Sequence, residues 1–261
     1  MKDLVVKYKL MGFIPLRFRR GIPERWDELS PRQLRVIGGI FSKQPMQDAD
    51  LVARFFNIPR VITRRLDPFY VFNILYDVDF LSSYSPWHKF MIAYLKGYPA
   101  PKARLEGMSF GQFVFADTYY INYSRLHDKT LLNKLIATLY APAGESFDEK
   151  LINGRAEEMD SLPEAVKQAV LINWTLVKEW LTVSYPLVFI KPEESEKKKR
   201  QQEEDQPPVK ERKPTPSDDW VKIFDNLVSD DLVNADKYAA MPVHTVFRYI
   251  TRKIKENAKR A

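Results

Sequence analysis

The stretch from Ser161 to Tyr185, SLPEAVKQAVLINWTLVKEWLTVSY, constrains the fold more than any other, because only a helix buried on several sides accounts for it. Ser161 and Glu164 stand at capping-box spacing, and Pro163 falls in the first turn, which marks a helix start. Val166, Val170, Val177, Trp180 and Leu181 fall near one helical face, while Leu171, Ile172, Trp174 and Leu176 carry the apolar surface round the rest. A membrane span needs about 20 mostly apolar residues. Lys167, Lys178 and Glu179 interrupt this run, so it reads as a core helix that the rest of the chain must surround.

With 261 residues and 45% hydrophobic composition, the chain can bury one sizeable core plus a small second unit. The absence of cysteine removes disulfides, thiolate zinc sites and cysteine nucleophiles together, and agrees with a reducing compartment. The opening MKDLVVKYKLMGF has no continuous hydrophobic block, so no secretory signal is expected and the expected location is the cytoplasm. The net charge of +7 is uneven: residues 1–65 hold 14 Lys/Arg against 6 Asp/Glu, and residues 66–190 hold 11 against 14. A basic N-terminal third either meets nucleic acid or neutralises the acidic middle of its own fold, and the internal reading is the simpler one.

LVVKYKLM and FIPLRF alternate partially with period two, which predicts a short strand or hairpin, weakened by Pro15. RFRRGIPERW then interleaves Arg17, Arg19, Arg20 and Arg25 with Trp26, the pattern of a groove that holds phosphates while stacking a base. The plainer reading docks Trp26 in the core with the arginines in water. Ser30, Pro31 and Gln33 predict a capped helix start, with Leu29 and Leu34 as a hydrophobic staple, and Gly38-Gly39 weakens that helix or lets another come close. Leu51, Val52, Phe55 and Phe56 form a stripe ended by Pro59, and Asp67-Pro68 starts another helix. Phe69 to Phe80, FYVFNILYDVDF, reads as core.

Three motifs invite a catalytic reading. Asp77 and Asp79 form a D-x-D pair of the kind that holds a divalent ion, but no further carboxylate or histidine nearby completes a ligand set. Gly107-Met108-Ser109-Phe110-Gly111 fits G-x-S-x-G, a nucleophile elbow, yet Lys102, Arg104, Leu105 and Glu106 before it do not make the central strand that elbow requires. Ser109 and Gln112 instead form an S-x-x-Q box with Met108 and Phe113 at staple positions, so Ser109 is expected to cap a helix. His88, His127 and His244 share no ligand spacing, and no P-loop, dinucleotide fingerprint or H-E-x-x-H is present. No catalytic residue, metal ligand or cofactor site is therefore assigned, and the chain is expected not to be an enzyme.

Farther on, Phe110, Phe113, Val114, Tyr120 and Ile121 line a helix on which a partly buried Asp117 is expected to bond a tyrosine hydroxyl. Leu131, Leu132, Leu135, Ile136, Leu139 and Tyr140 mark an amphipathic helix that stops before Pro142. From Lys191 to Asp219 the sequence KPEESEKKKRQQEEDQPPVKERKPTPSDD has one aliphatic residue and five prolines, the composition of a disordered charged linker. The apolar pattern returns at Trp220, Ile223, Phe224 and Leu227, and a second helix from Pro242 carries Val243, Val246, Phe247, Ile250 and Ile254 on one side. The sequence thus predicts a mainly α fold: a helical globular domain over residues 1–190 with a short N-terminal strand or hairpin, a disordered linker over 191–219, and a helical hairpin over 220–261. About forty residues are too few to be stable alone, so the hairpin should dock on the main domain, a sister copy or another protein.

The junction Lys197-Lys198-Lys199-Arg200 and the module WVKIFDNLVSDDLVNADKYAAMPVHTVFRYITRKIKE, following a helical body, resemble the tail assembly chaperones of tailed phages. That resemblance implies a second module that helps tube subunits assemble around a tape measure protein, in the host cytoplasm. On this reading Trp220, Ile223, Phe224, Leu227, Val246, Phe247 and Ile250 bind a helical segment of a partner protein. The alternative is a nucleic-acid-binding protein that uses Arg17, Arg19, Arg20 and Arg25 together with Arg248, Arg252 and Lys253. A homo-oligomer fits either reading, and no membrane association is expected.

Overall fold

The computed structural model describes residues 2–10, 14–42, 46–142, 144–189, 220, 223–224, 227–228 and 232–259. The linker expected over 191–219 lies outside the described residues. The fold is mainly helical, with a short N-terminal β-hairpin and helices at the C-terminal end. Contacts divide it into two compact units, one of Met1–Trp87 with Leu162–Leu176 and the other of His88–Ser161 with Val177–Ala261. No described helix is long and apolar enough to cross a membrane.

In the first unit, strands β1 (Lys2–Leu10) and β2 (Ile14–Ile22) pair antiparallel with Val6 opposite Phe18 and Lys7 opposite Arg17. Alternation turns Leu4, Val6 and Ile22 inward, all buried, and Lys7, Lys9, Arg17 and Arg19 outward, all exposed. Pro15 is tolerated because it sits one residue into β2, opposite Lys9 at the end of the hairpin where β1 leads into β2. The hairpin is fastened from behind: Arg20 Nε donates to Phe56 O at 3.0 Å, its Nη2 to Asn57 O at 3.2 Å, and Tyr70 Oη donates to Val5 O at 3.2 Å.

Helix α1 (Pro31–Phe41) begins at the box expected for it: Gln33 N donates to Ser30 Oγ at 3.3 Å, and Ser30 N donates to Gln33 Oε1 at 2.9 Å. Leu29 and Leu34 are buried, as a staple requires. Helices α2 (Asp48–Phe56), α3 (Arg60–Thr63) and α4 (Pro68–Tyr76) follow, with α2 closed by Asn57 in the left-handed region and α4 capped by Asp67. Trp26 is 1% exposed, stacks on Tyr84 and donates Nε1–H to Ser83 O at 2.8 Å, so it belongs to the core and is no base-stacking platform. The α4 stretch departs from expectation. Val71 and Ile74 are buried, but Phe69, Phe72 and Tyr76 are 71%, 59% and 68% exposed, so one side of this aromatic helix is surface rather than core.

The second unit contains the two-residue strands β3 (Tyr94–Leu95) and β4 (Tyr98–Pro99), then α5 (Phe110–Leu126), α6 (Lys129–Leu139) and α7 (Ile152–Asp160). Ser109 Oγ accepts from Gln112 N at 3.2 Å, so this serine caps α5 as its S-x-x-Q spacing implies. On α6, Leu132, Leu135, Ile136 and Leu139 are buried, and Tyr140 at its end donates its hydroxyl to Ile92 O at 2.8 Å. The long helix α8 (Glu164–Ser184) is the core helix expected from its sequence, with Ala169, Val170, Trp174, Leu176, Val177 and Leu181 wholly buried. Its residues through Leu176 belong to the first unit and those from Val177 to the second.

The C-terminal residues are part of the second unit. Trp220, Ile223, Phe224, Leu227 and Val228 are helical, and α9 (Ala235–Ala240) and α10 (Val243–Ala258) follow. Phe110 N donates to Met241 O at 2.8 Å and Val243 N to Met108 O at 3.0 Å, which ties the start of α10 to the start of α5. Gly111 sits where a Cβ would lie 3.3 Å from the Cβ and the carbonyl oxygen of Ala239, so its bareness allows α9 to approach α5.

Candidate partner-binding groove

An aromatic cluster joins the C-terminal segment to α5. Phe113 meets Trp220 at 5.1 Å and Phe247 at 5.0 Å between ring centroids, both edge-to-face, and Phe189 packs on Phe247 at 5.1 Å. Such pairs contribute about 0.5–1.5 kcal/mol each beyond their buried area. A buried carboxylate anchors the cluster. Asp117, 1% exposed, accepts Trp220 Nε1–H at 2.7 Å through Oδ2 and faces Lys178 Nζ at 2.6 Å through Oδ1. Asp117 therefore holds an indole and an ammonium rather than the tyrosine hydroxyl expected of it. Lys178 also lies 4.8 Å from the Phe189 ring centroid, so its charge rests on an aromatic face as well as on a carboxylate.

This packing decides what remains for a partner. Trp220, Val246 and Phe247, expected to face one, are 6%, 1% and 0% exposed within the second unit. They are buried because a forty-residue segment gains most by covering its apolar face against α5. Ile223, Phe224, Leu227 and Ile250 stay half-buried. Between α5 and the C-terminal segment runs a groove of about 490 Å³, walled by Val114, Phe115, Tyr119, Trp220, Phe224 and Ala239. Two carboxylates, Glu149 and Asp236, stand among its lining groups. Burial raises the Tyr119 hydroxyl above its ordinary pKa, with Glu149 adding to the effect, so the phenol stays a neutral donor. An apolar trough with acids beside it suits an apolar side chain or helix stripe flanked by lysine or arginine.

The basic residues expected to hold nucleic acid fall into separate units. Arg17, Arg19, Arg20 and Arg25 lie in the first, and Arg248, Arg252 and Lys253 in the second. Several are already engaged. Arg20 is spent on the carbonyls ending α2, Arg25 lies 3.3 Å from Asp27 and 3.5 Å from Glu28, and Arg19 Nε bonds Asp3 at 3.0 Å. Arg252 and Lys253 share Glu256 at 3.8 and 3.4 Å, and Arg248 Nε donates to His244 O at 3.1 Å. Among the described residues Arg17 forms no ion pair, and facing it on the same outer surface is Lys7, with Lys9 beside it, neither singled out from sequence.

The catalytic motifs place no constellation here. Asp77 is ion-paired with Lys2, and among the described residues no group of three or more His, Cys, Asp and Glu is placed to hold a metal. His244 bonds Tyr185 Oη at 2.8 Å through Nδ1 and the Arg104 carbonyl through Nε2. Comparison with protein-family models, curated proteins and solved structures finds no match to the chain.

Proposed function

We propose that this protein is a non-enzymatic assembly adaptor of the kind found among tailed-phage tail assembly chaperones, working in the host cytoplasm and receiving an apolar helical segment of a tube or tape measure subunit. The groove between α5 and the C-terminal segment carries this reading, because two of the residues singled out for partner binding, Trp220 and Phe224, form part of its wall. The mode differs from a free apolar face on a tethered module. The module's inner residues complete the unit, and the partner meets the groove that their docking creates.

The test is a binding titration of the full chain with purified tube and tape measure subunits from the same genome. Val114→Lys puts a long charged side chain in the half-buried groove wall, and we expect it to lower affinity at least tenfold while circular dichroism stays unchanged, since it fills the trough and competes with the partner's cations for Glu149 and Asp236. Phe72→Lys on the exposed side of α4 is the control and should bind as the parent does. Equal affinity of the parent and Val114→Lys would overturn the assignment.

A further inference from the structure

The hairpin presents a second surface, unrelated to the groove. It carries six cations, Lys2, Lys7, Lys9, Arg17, Arg19 and Arg20, against the single acid Asp3. Three of the six are neutralised or anchored: Lys2 by Asp77, Arg19 by Asp3, and Arg20 by backbone carbonyls. Lys7, Lys9 and Arg17 form no ion pair among the described residues, and all three are exposed on the outer face. Lys7 and Arg17 are direct cross-strand partners, a position where like charges repel and where an opposite pair would stabilise the sheet. Nothing in the packing of the hairpin requires that arrangement, since the residues that hold it to its unit project from the other face. The same three residues rim a recess of about 380 Å³ with Tyr8, Pro15 and Leu16.

We propose that the outer face of the β1–β2 hairpin binds the phosphate backbone of duplex DNA, with Lys7, Lys9 and Arg17 as phosphate contacts. A two-stranded ribbon matches the roughly 12 Å width of the B-form major groove. Cations on alternate residues recur about every 6.7 Å along a strand, which sets Lys7 and Lys9 along one polyanion wall and Arg17 beside them. The A-form major groove of RNA is too deep and narrow for such a ribbon, which selects DNA.

The test is fluorescence anisotropy of a labelled duplex with the full chain between 50 and 200 mM salt. Affinity should fall linearly on a log–log plot with a slope of about −0.9 per phosphate contact. Lys7→Glu and Lys9→Glu should each weaken binding about tenfold at low salt and make the slope shallower by about one unit. Lys7→Glu should also raise Tm, because the new carboxylate faces Arg17, so lost binding cannot be blamed on lost folding. Arg252→Gln on α10, outside the hairpin, should change neither the affinity nor its salt slope. The proposal is overturned by no binding at 50 mM salt or by binding that ignores the hairpin variants. It is equally overturned if single-stranded RNA, poly-glutamate or phosphatidylserine vesicles compete as well as duplex DNA.

Discussion

Gly38 and Gly39 stand side by side in α1 and should respond oppositely to the same change. A Cβ on Gly38 would lie 2.1 Å from the Ala165 carbonyl oxygen and 2.8 Å from Ala169 N, both backbone atoms of α8 that cannot give way. Gly38→Ala should therefore cost about 1–3 kcal/mol, overriding the ~1 kcal/mol that alanine gains in a helix, as thermal unfolding will read. At Gly39 the nearest atom is Ala165 Cβ at 3.8 Å, an ordinary contact, so Gly39→Ala should be neutral or stabilising. The sequence made the pair conspicuous without saying which glycine meets the neighbour, because that depends on the rotation of α1 about its own axis. Asp50 gives a pH signature. Arg64 donates to its two carboxylate oxygens at 2.8 Å each, which holds the carboxyl below its ordinary value. A depressed folded pKa means the unfolded chain takes up the proton first. The contribution of the pair is thus present above the ordinary aspartate pKa of about 3.9 and is lost as pH falls through the folded value. Asp50→Asn should accordingly lower Tm at pH 7 and make progressively less difference towards pH 3.

Helix α4 and the C-terminal segment show where periodicity stops being informative. Phe69, Phe72 and Tyr76 belong to a stretch so rich in apolar residues that no solvent face stands out, and the expectation of core followed from composition alone. Burial of Val71 and Ile74 satisfies the helix, and Phe69, Phe72 and Tyr76, each one or two residues from a buried position and spaced three and four from one another, share the outward side. Substituting Phe72 by serine should leave stability within about 0.5 kcal/mol, whereas Val71→Ala should cost about 1–3 kcal/mol by urea unfolding. The caps of α1, α4 and α5 were legible because each depends on residues no more than a few positions apart. The Asp117–Trp220 bond was not, since 103 residues separate its partners and neither sequence neighbourhood signals the other. Trp220→Phe keeps the ring but removes the donor, and a hydrogen bond to a charged group is worth about 1.5–3 kcal/mol. The loss should appear as a lower unfolding midpoint with unchanged helicity.

The mainly helical class, the N-terminal hairpin and the central helix were all readable from spacing and composition, and the structure contains each. What the forty C-terminal residues lie against was not readable, because an amphipathic segment looks the same whether it covers its own unit or another protein. The structure places them in the second unit, with Phe247 and Val243 wholly buried, and the groove exists only while they stay there. The outward cations of the hairpin became legible only through the register that sets Lys7 against Arg17. Both proposed surfaces depend on intact units, so variants should be compared in the full chain. Native-state amide hydrogen exchange tests the docking of the C-terminal segment directly. Amides of Val246 and Phe247 in α10 should exchange with the same high opening free energy as those of Phe113 and Ala116 in α5. Rapid exchange throughout α10, alongside slow exchange in α5, would contradict it.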